Sequence, residues 1–114
     1  MQPNDLSALN DIEACCREVI LLAGRCTEDS FLDDSVVQAA MKYHLIILGE
    51  AVKRLSTGFR QLHPEMRWAA MAGLRDVLVH AYERIDSLQV WDIATASVPS
   101  VFAYIEPLIP HEQL

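Results

Sequence analysis

Asp34-Ser35-Val36-Val37-Gln38-Ala39-Ala40-Met41-Lys42-Tyr43-His44-Leu45-Ile46-Ile47-Leu48-Gly49-Glu50-Ala51-Val52-Lys53-Arg54-Leu55-Ser56-Thr57-Gly58 carries two apolar stripes at helical spacing. Val37, Met41, His44, Leu48, Ala51 and Leu55 recur every three or four residues along one face. Val36, Ala40, Tyr43 and Ile47 do the same along the neighbouring face. This is the period of an α-helix, not the alternation of a strand. Asp33 or Asp34 is placed to cap the helix, and Gly58 to close it. A helix apolar on two faces is buried on two sides. In a chain of 114 residues the second side points to another subunit.

The flanking sequence repeats the pattern. Leu9, Ile12, Cys16, Val19 and Ala23 form a stripe that Asn4 or Ser7 could cap and Gly24 ends. Phe31 and Leu32 read as a single turn between this helix and the long one. His63-Pro64 breaks the chain. Ala70, Leu74, Val77 and Ala81 then mark a third helix. Trp91, Ala94, Val98, Val101, Ile105 and Leu108 mark a fourth, capped by Asp86 or Ser87, with a kink or restart expected at Pro99. No segment shows sustained alternation. The expectation is an all-α fold, an up-and-down four-helix bundle with short extra helices, formed by residues 1–114 as one domain and paired as a homodimer.

Composition narrows the class. Hydrophobic residues make up 52% and charged residues 22%, which is globular and not disordered. No apolar run is long enough to span a membrane, and the polar, acidic start does not read as a signal peptide, so a cytoplasmic location is expected. Cys15, Cys16 and Cys26 are odd in number, with no CxxC pair, and read as reduced, mostly core-facing thiols. The net charge of −7 is unevenly spread. Residues 1–41 hold two bases against eight acids, 42–84 seven bases against four acids, and 85–114 four acids and no base.

Familiar catalytic patterns are absent: there is no GxSxG, Walker loop, GxGxxG or HExxH. His44, His63, His80 and His111 make no i, i+4 pair, so the sequence offers no metal site and implies no cofactor. His44 reads as a core or interface histidine, His63 as a turn residue and His111 as part of the tail. Trp68 and Trp91 read as core packing. One cluster is rich in chemistry: Leu74-Arg75-Asp76-Val77-Leu78-Val79-His80-Ala81-Tyr82-Glu83-Arg84-Ile85-Asp86. By itself it is equally a helix end with cations favoured by the helix dipole.

Arg75-Asp76, three residues, then His80-Ala81-Tyr82 resembles the Arg-x4-His-x-Tyr signature of HEPN-domain ribonucleases, in their HepT-like toxin branch. The resemblance extends to Leu48-Gly49-Glu50-Ala51 in the long helix, to Trp68 before the signature, and to Ile85-Asp86 and Trp91 after it. Asp76 stands where asparagine is common, and Tyr43-His44 where the branch often has Arg-Asn, beside Lys42. The resemblance implies a homodimeric helical bundle, metal-independent RNA cleavage, and pairing with a small nucleotidyltransferase antitoxin. It carries over Arg75 and His80 as catalytic, Asp76 as a supporting residue, and Tyr82 as the acceptor of AMP from that antitoxin. The alternative is a non-catalytic helical dimer that binds a nucleotidyltransferase partner or nucleotide.

Cleavage of RNA through its 2′-hydroxyl needs a base, an acid and a cation for the charged phosphorane. Imidazole can fill either proton role and guanidinium the third. A dimer would bring two copies of His80 to one cleft. On a continuous helix at about 100° per residue, Arg75 and His80 lie roughly 140° apart and His80 and Tyr82 roughly 160° apart. They converge only if the helix ends or distorts near His80, or if a partner supplies part of the site.

Overall fold

The computed structural model describes residues 2–110 and contains no strand among them. The first helix, α1 (Pro3–Gly24), starts on a proline, whose missing N–H is no loss in a first turn and whose φ is already helical. Gln2 is its N-cap, so Asn4 and Ser7 lie inside the helix and do not cap it. A single turn, α2 (Glu28–Leu32), follows where Phe31-Leu32 suggested one, closed by reciprocal hydrogen bonds between Thr27 and Ser30. Phe31 is fully buried against Trp91.

The long helix, α3 (Ser35–Lys53), is capped by Asp34, whose carboxylate accepts from the Val36 and Val37 N–H groups. It stops at Lys53, short of Gly58. The reason is Ser56. Its hydroxyl accepts from the Phe59 N–H and starts α4 (Thr57–Leu62), so Gly58 sits inside a short helix instead of ending a long one. Ser56 also donates its N–H and its hydroxyl to the two oxygens of Asp5, each at 2.7 Å.

Helix α5 (Trp68–His80) follows the His63-Pro64 break. The last long stretch begins at α6 (Ser87–Asp92), capped by Asp86, and ends with α7 (Val98–Ile105). Between them Ile93–Ser97 forms a π turn. The expected disturbance at Pro99 takes this form: the wider turn lies just ahead of a residue that cannot donate a backbone hydrogen bond, and the helix runs on without a break.

Helix α3 packs against both α1 and α5, and α1 against α7. The all-α fold read from the sequence is the fold observed. Met41, Leu48, Ala51 and Leu55 are buried as the main stripe requires, but Leu45 and Val52 are core residues that the stripe omits. The core side of α3 is wider than one stripe because two helices flank it. The phase of α5 differs from the reading. Ala70 and Val77 are exposed, and Trp68 and Leu78 are the buried residues. α5 is apolar around most of its circumference, so its sequence carries little contrast by which to orient it.

Asp5 is 1% exposed. Burial alone would raise its pKa, but the hydrogen bonds from Ser56 override this and hold the carboxyl below its ordinary value. A carboxyl depressed by folding stabilises the fold above its unfolded pKa, and that stability is lost as pH falls through the folded value. Asp5→Ala is therefore expected to lower stability at pH 7 by about 1–3 kcal/mol, because it strands the two half-buried donors of Ser56. Chemical denaturation at pH 7 and pH 3 checks this: the gap between wild type and variant should narrow in acid.

Candidate active site

Helices α3 and α5 run antiparallel, and two contacts seven residues apart in sequence, one to α5 itself and one to the turn that follows it, fix their register. At one, Lys42 meets Tyr82; at the other, Gly49 meets Arg75. A side chain on Gly49 would put its Cβ 2.3 Å from the Cβ of Arg75. Glycine is thus required there, and its absence of bulk lays the stem of Arg75 on the backbone of α3.

The guanidinium of Arg75 is enclosed by carboxylates. Its Nε faces Glu50, and its Nη1 donates to Asp76 at 2.9 Å. Asp76 also accepts from Lys53. The result is a row of alternating charge: Glu50, Arg75, Asp76, Lys53. The hydrogen bond to Asp76, then Glu50, holds the Arg75 pKa above its ordinary value. The Lys53 and Arg75 donors hold Asp76 below its own. Asp76 therefore acts here as an ionised acceptor, tying the arginine to α3.

His80 is the last residue of α5 and is exposed. The helix stops there because Ala81 leaves helical geometry, with φ −144° and ψ 53°, and Tyr82–Arg84 form a separate 3-10 turn. The distortion that the angular arithmetic demanded is thus present, one residue beyond His80. It carries Tyr82 back onto α3, where the Lys42 ammonium lies 4.0 Å from the centre of its ring and donates to its carbonyl at 3.3 Å. The structure joins Arg75 and Asp76 in one network and brings Tyr82 to Lys42. It leaves His80 at the exposed helix end, outside that ionic row.

Four residues of this neighbourhood escaped the reading of the sequence as site residues: Lys42, Gly49, Glu50 and Lys53. A lone glycine inside a helix generally marks close backbone approach, and Gly49 carried that signal. Lys42, off both apolar stripes of α3, stands out in the sequence only as the cation beside Tyr43-His44, where the family often has Arg-Asn.

The other singled-out residues are structural. His63 Nδ1 lies 2.9 Å from the Tyr104 hydroxyl, and its carbonyl accepts from Trp68. Trp68 is buried beside Phe59. His44 is half-buried next to Tyr43. Cys15 and Cys16 are buried and free, and burial pushes the Cys16 thiol up to about 12. His111 lies outside the described residues. Among the described residues no helix is long and apolar enough to cross a membrane.

This all-α frame carries Arg75 and His80 on one helix and Tyr82 on the turn that follows it, the residues of the Arg-x4-His-x-Tyr signature. The chain belongs to the ribonuclease HepT-like family, whose model matches residues 12–108. It is 39% identical over 101 residues to a Thermococcus cleftensis protein named "Probable ribonuclease HepT", covering 89% of this chain and 86% of that one. It is 37% identical over 110 residues to "Putative RNase MJ0127" of Methanocaldococcus jannaschii, covering 96% and 91%. A second protein of that organism, "Putative RNase MJ1380", is 31% identical over 107 residues, covering 93% and 98%. No solved structure gives a significant match.

Proposed function

We propose that the protein is a metal-independent endoribonuclease, the toxin half of a pair whose antitoxin is a nucleotidyltransferase. The observation that carries this reading is the end of α5, where His80 is exposed within two residues of a tyrosine presented from a separate turn. In this reading His80 moves the proton of the 2′-hydroxyl or of the leaving 5′-oxygen. Arg75 steadies the phosphorane, with Asp76 and Glu50 orienting its guanidinium. The attacking 2′-oxygen forms a bond to phosphorus as the 5′-oxygen leaves, giving a 2′,3′-cyclic phosphate. Tyr82 is the acceptor of AMP: its phenol oxygen takes the adenylyl group of ATP and pyrophosphate leaves. The adduct fills the space beside His80 and silences cleavage.

A homodimer completes the site. Its support is the second stripe of α3, with Val36 77%, Tyr43 60% and Ile47 38% exposed after the bundle has packed. These three lie on one side of the helix, opposite Met41, Leu45 and Val52. Two copies joined there would pair two His80 side chains in one cleft.

Purified protein should cut single-stranded RNA in EDTA, leave cyclic phosphate ends, and scatter light as twice the chain mass. Co-expression with a nucleotidyltransferase antitoxin should add AMP to the Tyr82 peptide, and Tyr82→Phe should remove it. A monomer, or a protein that leaves RNA intact, sinks the reading. The second reading, a binding-only dimer for a nucleotidyltransferase, is favoured by one observation: the two carboxylates on Arg75 already neutralise it. Unmodified protein that binds the antitoxin but cuts no RNA would establish that alternative.

A further inference from the structure

Two charged side chains are buried among the described residues, Asp5 and Lys42. Asp5 has the two short hydrogen bonds from Ser56. Lys42 is treated very differently. It is 7% exposed, and its ammonium has one long hydrogen bond to a carbonyl and the face of an aromatic ring. No carboxylate of a described residue pairs with it. Of the neighbouring cations on α3 and α5, Lys53 is paired with Asp76 and Arg75 with Glu50 and Asp76. Burying an ammonium without an anion is unfavourable, and a carbonyl with a ring face only partly replaces its water.

The cover over this ammonium is removable. Tyr82 is 43% exposed, in a three-residue turn whose start has no side-chain cap, two residues from His80. A rotation about its side-chain bonds lifts the ring from Lys42 without disturbing a helix. The space it vacates adjoins the exposed end of α5.

We infer that Lys42 is a phosphate-binding residue for RNA, covered by Tyr82 in the free protein and taking one phosphodiester of the strand when the ring moves aside. This inference rests on the ribonuclease reading and adds to it a contact made from the long helix. It gives the site a cation that no internal carboxylate neutralises, which Arg75 is not. An adenylyl group on Tyr82 would bring its own phosphate to the same ammonium and so compete with the strand. The rival role for Lys42 is purely structural, a cation capping the carbonyl end of the α5 turn.

The test uses the whole protein and a 2′-O-methyl oligonucleotide, which keeps every phosphate but lacks the attacking hydroxyl. Binding is measured across a salt series. Each phosphate contact to a single strand contributes about 0.7 to the slope of log Kobs against log salt. Lys42→Met should flatten the slope by about 0.7, and Lys42→Arg should restore it. A cap role would leave the slope unchanged. The chain has only two lysines, Lys42 and Lys53, so lysine labelled with 13C gives two side-chain signals, and Lys42→Arg assigns them. The Lys42 signal of the wild-type protein should move on adding the oligonucleotide, which decides the matter even if Lys42→Met fails to fold. Binding with an unmoved Lys42 signal and an unchanged slope overturns the assignment alone. An oligonucleotide that does not bind overturns the ribonuclease reading and this assignment with it.

Discussion

His80→Ala should slow RNA cleavage about 10²–10⁴-fold, the range that a positioned general acid or base supplies. It should leave the thermal melt almost unchanged, since surface substitutions generally stay within about 0.5 kcal/mol and His80 is exposed at a helix end. That combination separates chemistry from folding. Arg75→Ala should also abolish cleavage, but with a measurable drop in stability. Its stem fills the contact against Gly49, and its loss leaves Glu50 and Asp76 facing each other without the cation between them. Initial rates on a fluorescent single-stranded substrate in EDTA, paired with melts, give both numbers. Equal cleavage by wild type and His80→Ala would remove His80 from the mechanism.

Gly49→Ala should be damaging for a reason that helix propensity does not anticipate. In an unconstrained helix interior, alanine is about 1 kcal/mol better than glycine. At position 49 the added methyl would sit 2.3 Å from the Cβ of Arg75 and 3.1 Å from the Met71 carbonyl oxygen. Neither is the far end of a flexible chain, so α3 and α5 must separate or Arg75 must leave its carboxylates. Overpacking of this kind costs about 1–3 kcal/mol. Gly73→Ala is the control, because a Cβ there meets open space. The two substitutions should shift the melting temperature in opposite directions, down for Gly49→Ala and up for Gly73→Ala. Cleavage should fall for Gly49→Ala alone. An upward shift for Gly49→Ala, matching that of Gly73→Ala, would mean that the close approach of α3 and α5 is not a constraint.

What the sequence conveyed follows the physics of each signal. Periodicity located all four long helices because each must bury one face. The caps of α3 and α6 were legible to within one residue, as Asp33 or Asp34 and Asp86 or Ser87, because a capping acceptor acts within three residues. The end of α3 was not, because Ser56 acts there with Asp5, 51 residues away. The phase of α5 was lost because apolar residues surround it. In the candidate site, residue types and spacing picked out Arg75, Asp76, His80 and Tyr82. Their neighbours Glu50, Lys53 and Lys42 depend on the register between two helices, which no local pattern states. Gly49 hinted at that register, but only the packed pair reveals that Arg75 is what it admits.

The π turn at Ile93–Ser97 has a bearing on how such a chain can change length. A π turn holds one residue more than the α-helical path it replaces, so this helix already contains a surplus residue. Deleting one residue within the turn converts it to ordinary α-helix and keeps Val98, Val101 and Ile105 facing the core. The same deletion in α1 or α3 would rotate every following side chain by about 100° and turn the buried face to solvent. The last helix is thus the place in this bundle where insertions and deletions can be absorbed, and variation in chain length among functional descendants should gather there.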